Sequence, residues 1–307
     1  MDRYSDTSSQ IADAAEGRSI DVAQVAVQSR GYWATVFNRI RYDKVTIVCF
    51  VVLLLIVLSA VFADVLSPAD SYKTNMVKRL KPIGYPGFPL GSDELGRDVL
   101  TRLLHGGRLS LIMGITPVIY ALAIGGTLGL IAGFIGGRVN MFIMRIIDIF
   151  YAFPSILLAI AISGTLGAGI GNAIVSLTIV FIPPITRITE SVTTQVRGLD
   201  YVEAARASGA GSFTIIRAQI LSNVLGPVFI YATSLISVSI ILASGLSFLG
   251  LGTEPPEPEW GLMLNTLRQS IYVRPWVATL PGVMIFLTSL SFNLLSDGLR
   301  SAMDVKM

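Results

Sequence analysis

Charged residues are scarce in this chain of 307 residues: they make up 14% of it, while hydrophobic residues make up 52%. A soluble domain usually carries about 25% charged residues, so the composition predicts a polytopic membrane protein. Lys and Arg outnumber Asp and Glu, 23 against 20. In a membrane protein this small excess reflects cytoplasmic loops, and it does not indicate nucleic-acid binding.

Cysteine and histidine are nearly absent as well. The one cysteine, Cys49, cannot form a disulfide within the chain, and with one histidine, His105, we expect no metal site. The GxxxxGK[ST] phosphate loop, the G-x-S-x-G elbow and the H-E-x-x-H helix are all missing from the sequence. These absences predict a protein that is not an enzyme and that binds no cofactor itself.

Long apolar stretches are what the chain has instead, and a helix of about 20 such residues crosses a bilayer. We therefore predict an all-α polytopic membrane protein with six transmembrane helices. The predicted spans are residues 45–63, 109–135, 141–163, 170–186, 224–246 and 278–295.

The segments between the spans complete the predicted organisation. Residues 31–44 place Trp33, Val36 and Phe37 at helical spacing, which favours either a helix in the membrane interface or a helix packed on the protein. The other predicted parts are a flexible cytoplasmic tail at 1–30, an extracytoplasmic segment at 64–107, a five-helix domain at 108–297 with a cytoplasmic loop at 198–223, and a cytoplasmic tail at 298–307.

The positive-inside rule sets the predicted orientation. Arg39, Arg41 and Lys44 precede the first span and place the N-terminus in the cytoplasm, and six spans return the C-terminus to the same side. The segment 64–108 conflicts with this orientation, because it would lie outside and yet carries seven basic residues. They are Lys73, Lys78, Arg79, Lys81, Arg97, Arg102 and Arg108.

Small and polar residues within the spans indicate close helix packing and a wet path. Gly125, Gly129 and Gly133 recur every four residues, a ridge that lets another helix approach. Polar uncharged side chains in the spans could line a translocation path or could bond neighbouring helices. The candidates for the path are Tyr120, Asn172, Ser234, Ser237 and Asn293.

The loop "YVEAARASGAGSFTIIRAQILSN" (201–223) predicts a short helix from Tyr201 to Ala207, a break at Gly209 and an apolar helix after it. With its small residues, it resembles the EAA loop of permease subunits of bacterial binding-protein-dependent ABC importers. Five segments in order resemble the C-type permease of the dipeptide/oligopeptide/nickel group over about residues 35–304. They are "GSDELGRDVLTRLLHGGRLSL" (91–111), "RIIDIFYAFPSILLAIAI" (145–162), "YVEAARASGA" (201–210), "LSFLGLGTEPPEPEWG" (246–261) and "FNLLSDGLRSAMD" (292–304).

The resemblance implies a type I ABC importer permease in a bacterial cytoplasmic (inner) membrane, with the five-helix part as its ABC transmembrane type-1 domain. The implied partners are a homologous B-type permease, two cytoplasmic ATPases that carry ATP and Mg, and an extracytoplasmic substrate-binding protein. The EAA loop would be the coupling helix, and the residues carried over are Glu203, Ala204, Ala205 and Gly209. Ser222 departs from the family pattern, which has proline there.

Two extracytoplasmic stretches are candidates for receiving the binding protein. In "GSDELGRD", Ser92 would cap a helix, and Asp93–Arg97 and Asp98–Arg102 would pair at i, i+4. In "TEPPEPEWG", the candidates for contact are Glu254, Glu257 and Glu259.

The cargo expected from the resemblance is a dipeptide or oligopeptide. Nickel chelates, glutathione and opine-like solutes are the alternatives within the same type of importer. An ion-coupled secondary transporter is the alternative from another class, and it would need acidic or basic residues in mid-span and inverted repeats.

Overall fold

The computed structural model describes residues 39–303. The predicted tail at 1–30, most of the predicted interfacial helix at 31–44 and the last four residues lie outside this range. Within it we number the α-helices in chain order. They are α1 Lys44–Val61, α2 Ala63–Leu66, α3 Val99–Ile135, α4 Gly137–Tyr151, α5 Ser155–Leu166, α6 Ile170–Arg197, α7 Asp200–Ala207, α8 Ser212–Ile215, α9 Leu221–Phe248, α10 Trp260–Leu267 and α11 Pro275–Met303.

Five helical stretches in the described part are long and apolar enough to cross a membrane: α1, α3, α6, α11 and the stretch Ser212–Phe248. The described part of the chain is thus a helical bundle with several membrane-length helices, as the composition predicts. α3 has 37 residues, or about 55 Å at 1.5 Å per residue, so it extends well beyond a hydrocarbon core of about 30 Å. The predicted second span missed its first ten residues, because they carry Arg102, His105 and Arg108.

The predicted third span is not one continuous helix in the structure. Its residues form α4 and α5, which meet at an angle of 86°, so the pair is one broken crossing or a re-entrant loop. Pro154 precedes α5 and has no backbone N–H to donate to the preceding turn. Near the bend, Arg187 of α6 lies 2.5 Å from Asp148 and 4.6 Å above the Tyr151 ring, which ties the end of α4 to α6.

The glycine ridge of α3 is confirmed, and it packs along α6. A Cβ atom on Gly129 would lie 2.5 Å from a backbone oxygen of α6, and one on Gly125 or Gly133 would lie 2.8 Å away. No real Cβ approaches that closely, so only glycine permits this helix contact. The three carbonyls belong to Ile182, Thr186 and Glu190.

Three apolar clusters hold the remaining helices. The first joins α3, α5, α6 and α9, and the second joins α1, α3, α9, α10 and α11. The third is small and lies where α6, α7 and the start of the 212–248 stretch meet; it includes Val202, Ile215 and Val224. α7 and α10 flank α9 along the chain and therefore lie at opposite ends of the bundle. We call these the α7 end and the α10 end.

Candidate functional site

α7 matches the short helix predicted at Tyr201–Ala207, with one more residue at its start. Asp200 and Glu203 occupy its first turn, where carboxylates interact favourably with the helix dipole. Val202 is fully buried and anchors the helix on the third cluster. On the other side of α7, Glu203 and Ala204 are exposed.

Gly209 ends α7 as the sequence predicts. Its φ of +84° is in the left-handed region that favours glycine. The Ala210 N–H donates to the Ala205 carbonyl at 3.1 Å, and the Gly209 N–H donates to the Arg206 carbonyl at 3.0 Å. This pair of bonds is the Schellman arrangement, and Ala205 and Ala210 both pack on the third cluster. Ala205 is thus half-buried, whereas Gly209 is exposed.

The chain after Gly209 returns to the bundle through an unusual turn. Residues Ile216–Ile220 are π-helical, and the Leu221 N–H donates to the Ile216 carbonyl. Ser222 follows within the helix, and its Oγ donates to the Ala218 carbonyl at 3.2 Å. Asn223 donates to the Tyr201 hydroxyl at 3.1 Å, which links the start of α9 to α7.

The five residues predicted for a path are dispersed over four helices. Asn172 donates to three carbonyls, those of Leu166, Gly167 and Ala168, and so fastens the turn between α5 and α6. Ser234 and Ser237 donate to carbonyls of their own helix. Tyr120 on α3 and Asn293 on α11 are exposed. These placements leave the path assignment a prediction.

The α10 end contains a network of buried charge centred on Arg102. Arg102 is 2% exposed, and its guanidinium donates to the carbonyls of Ser71, Pro256 and Glu257 at 3.1–3.2 Å. Asp93 lies 3.7 Å from the same guanidinium. One arginine therefore joins the segment after α2 to the loop before α10.

Two of the predictions for "GSDELGRD" need correction. The pair Asp93–Arg97 is confirmed at 2.6 Å, but Asp98 does not pair with Arg102. Asp98 is instead the N-cap of α3, since its carboxylate accepts from the Thr101 N–H at 2.8 Å. Ser92 caps no helix: its Oγ accepts from the Lys81 N–H and donates to the Lys78 carbonyl.

The three glutamates predicted for binding-protein contact have different surroundings. Glu254 is exposed, and Glu257 is half-buried and accepts from the Tyr72 hydroxyl at 2.9 Å. Glu259 is 1% exposed and caps α10, because its carboxylate accepts from the Gly261 and Leu262 N–H groups and from Ser110. Burial raises the pKa of Glu259, and the two N–H donors offset only part of that shift. This glutamate is not presented to a partner.

Comparisons with known proteins give one consistent family. A family model described as "Binding-protein-dependent transport system inner membrane component" matches residues 125–307. A second, described as "N-terminal TM domain of oligopeptide transport permease C", matches residues 31–82. The second match covers the region of the predicted interfacial helix and α1.

Curated relatives match along nearly the whole chain. The chain is 41% identical to the glutathione transport system permease protein GsiD of Pectobacterium atrosepticum, over 90% of this chain and 91% of that protein. It is 42% identical to the dipeptide transport system permease protein DppC of Alkalihalophilus pseudofirmus, over 90% of each. A solved structure of the inward-facing MetNI methionine ABC transporter is similar in fold, with a TM-score of 0.54 and 20% identity over 65% of this chain and 95% of that chain.

Proposed function

The chain belongs to the family of binding-protein-dependent transport system inner membrane components, and on that premise we propose that α7 is the element through which it receives mechanical work. The chain itself is a non-catalytic, multi-pass permease subunit of an ABC importer. Membership of this family rather than an ion-coupled class sets the secondary-transporter alternative aside.

The observation that carries the proposal is the division of α7 into two faces. Val202 is buried against the bundle, while Glu203 and Ala204 face outward from it. A small side chain such as Ala204 lets a partner surface approach the backbone, and Glu203 offers one charge for pairing. Gly209 then turns the chain back into the stretch Ser212–Phe248, so a push on α7 is transmitted to a membrane-crossing helix.

The proposed complex contains this chain, a homologous B-type permease, two cytoplasmic ABC ATPases with ATP and Mg, and an extracytoplasmic binding protein. The family in general implies such partners. In this arrangement the α7 end faces the cytoplasm of a bacterial cell and the α10 end faces outward, with both termini inside. Glu254 and Glu257 are the proposed contacts for the binding protein.

The proposed cargo is a short peptide, and glutathione is the second candidate. The printed names of the relatives support both, since one is a dipeptide permease and another a glutathione permease at nearly equal identity. Uptake of a labelled dipeptide and of labelled glutathione, measured in cells with and without this chain, separates the two.

The coupling assignment is tested by charge reversal on the exposed face. In the assembled importer, Glu203→Lys should abolish most of the ATPase stimulation by substrate-loaded binding protein. The reason is that a positive lysine would face the partner group that pairs with the negative carboxylate of Glu203. Asp200→Lys is the matched control, since it makes the same charge change in the same first turn of α7. Unchanged stimulation in Glu203→Lys, or an equal loss in both variants, contradicts the assignment of Glu203.

A further inference from the structure

An exposed aromatic patch lies at the α10 end, beside the start of α11. Tyr272 is 90% exposed and Trp276 is 78% exposed, and Val273 beside them is exposed as well. A contiguous apolar patch on a surface marks an interaction site. α11 is one of the helices long and apolar enough to cross a membrane, and Trp276 is its second residue, at the start of that stretch. Trp and Tyr are enriched at the interface between membrane and water.

A cavity of about 280 Å³ opens next to this patch. Pro82, Ile83 and Trp276 contribute apolar walls, and Arg274 contributes the one charged side chain among the residues that line it. The Arg274 Nε donates to the Leu80 carbonyl at 3.0 Å, which fixes the loop before Pro82 against the start of α11. The cavity is therefore built from two segments that are held together.

Gly91 allows the loop at Lys81 and the start of α11 to lie close together. A Cβ atom there would lie 2.6 Å from the Lys81 carbonyl oxygen and 3.0 Å from the Val277 side chain. Its φ of +84° also favours glycine. Lys81 and Val277 are thus brought together around a residue without a side chain.

Two basic residues of the segment 64–108 adjoin the cavity along the chain: Arg79 and Lys81 flank Leu80, whose carbonyl accepts from Arg274. Arg97, Arg102 and Arg108 of that segment are engaged inside the protein, since Arg108 donates to the Ala60 and Val61 carbonyls at the end of α1. The remaining four are exposed or half-buried; they are Lys73, Lys78, Arg79 and Lys81. Lys81 is held over the Tyr85 ring and Lys78 over the Phe88 ring.

We propose that this cavity and its basic rim bind the headgroup of an anionic phospholipid. The phosphate would lie near Arg274, Arg79 and Lys81, and the start of an acyl chain would lie along Ile83 and Trp276. A lipid is favoured over an acidic protein surface because the site combines cations with an apolar wall at the membrane boundary. Basic residues near an anionic membrane surface each add about 1 kcal/mol of attraction.

The proposal also accounts for the conflict in the positive-inside count. Three of the seven basic residues, Arg97, Arg102 and Arg108, form bonds within the protein, and the charges of Arg79 and Lys81 would be neutralised by lipid phosphate. The inference does not depend on the coupling role of α7, and a failure of one leaves the other standing.

Quenching of Trp276 fluorescence by brominated lipid tests the site directly. The chain has three tryptophans, and Trp33→Phe in the full-length protein leaves Trp276 and the buried Trp260. The protein is reconstituted in phosphatidylcholine vesicles that contain a minor fraction of either brominated phosphatidylglycerol or brominated phosphatidylcholine. We expect stronger quenching by the anionic lipid at equal fraction.

Variants then test the role of the charges. Arg79→Gln with Lys81→Gln should weaken the preference for phosphatidylglycerol by about fivefold for each cation removed. Lys73→Gln is the control, because it removes a positive charge from an exposed residue that does not line the cavity and that follows Tyr72, whose hydroxyl bonds to Glu257; it should keep the preference.

Three outcomes overturn the proposal. Equal quenching by the two brominated lipids removes the anionic specificity, and an unchanged preference in the double variant removes the basic rim. A Trp276 that neither lipid quenches, but whose emission shifts when a purified extracytoplasmic binding protein is added, assigns the patch to protein docking instead. An unchanged unfolding midpoint in every variant verifies that the fold is intact.

Discussion

The two ends of the bundle are held together in opposite ways. At the α10 end, Arg102 and Glu259 are almost fully buried, and each satisfies backbone groups of a segment distant in sequence or of a neighbouring helix. At the α7 end, Asp200, Glu203 and Arg206 of α7 are exposed, and α7 is held by Val202 and Ala205 on the third cluster and by the bond from Asn223 to Tyr201. The α10 end is therefore fixed by buried polar contacts, whereas the α7 end leaves its charged residues accessible to a partner.

The difference follows from the energetics of charge. A buried ion pair brings little net stability, but a buried charge that loses its partner is costly, so such a network fixes the geometry of the loops that it joins. A helix of eight residues such as α7 is too short to be stable alone. Its conformation comes from Val202, from the bonds around Gly209 and from the third cluster, and its outer face remains available to a partner.

Removing the buried arginine at the α10 end should have the largest effect on stability. Arg102→Met leaves the carbonyls of Ser71, Pro256 and Glu257 without their donor in a buried site. We expect a loss of about 3–5 kcal/mol, the usual range for removal of one buried charged partner. The measurement is thermal unfolding of the full-length protein in detergent. Arg138→Met is the control at an exposed arginine, and a loss of equal size there would contradict the role given to the network.

A substitution of Gly209, in the turn that ends α7, should affect coupling to the ATPase more than it affects stability. Gly209 has free space around the position of a Cβ atom, so a substitution there meets only backbone strain at φ +84°. Gly209→Val should cost about 1–2 kcal/mol, the penalty of the left-handed region for a residue with a Cβ. That energy corresponds to about a tenfold loss in docking of the ATPase, if α7 shifts to relieve it.

Gly209→Asn is the matched variant, because asparagine tolerates the left-handed region better than valine does. ATPase stimulation in the assembled importer should fall in the valine variant and stay near the unsubstituted level in the asparagine variant. The unfolding midpoint should fall modestly in the valine variant and change little in the asparagine variant. Equal stimulation in the two variants would show that the conformation of Gly209 does not matter for coupling.

Titration of the buried glutamate should give an effect of intermediate size, confined to the α10 end. Burial raises the pKa of Glu259 above its ordinary value of 4.5, so the folded state binds the proton more tightly than the unfolded state does. The contribution of Glu259 to the free energy of unfolding is therefore fully present below pH 4.5, and it is lost as the pH rises through the raised pKa. Each unit of pKa shift corresponds to about 1.4 kcal/mol.

Glu259→Gln should flatten this part of the pH profile, since the amide does not titrate. The unfolding midpoint is measured across the acidic range for both proteins. Glu254→Gln, at an exposed site of the same loop, serves as the control and should leave the profile unchanged. If the unfolding midpoint changes with pH equally in the unsubstituted protein and in Glu259→Gln, another group governs the pH dependence of stability at the α10 end.

The contrast between the ends also explains what could be predicted from the sequence. The α7 end is local: helix formers, a glycine break and an apolar continuation follow one another along the chain, so α7 and its end at Gly209 were predicted to within a residue. The glycine ridge was equally readable, because its spacing alone places three residues on one helix face.

The α10 end depends on contacts between distant segments, and there only the local pair Asp93–Arg97 was predicted correctly. Arg102 bonds to carbonyls more than 150 residues away, such as that of Glu257, and no spacing along the chain reveals such a partner. The i, i+4 spacing suggested Asp98 for it instead, although Asp98 is required as the cap of α3. The bend between α4 and α5 was missed for a related reason. Hydrophobicity measures how apolar a stretch is, not whether Pro154 redirects it.

The smallest effect is expected at Ser222, near the start of α9, where the sequence departs from the family pattern. The π-helical turn Ile216–Ile220 already widens the helix just before this position. Ser222→Pro should therefore cost less than about 1 kcal/mol, while Thr233→Pro in the regular part of α9 should cost about 3 kcal/mol. The comparison uses unfolding midpoints of the two variants. If Ser222→Pro is as costly as Thr233→Pro, the π-helical turn does not prepare the chain for proline. Serine and its bond to the Ala218 carbonyl are then part of how this chain joins α7 to α9.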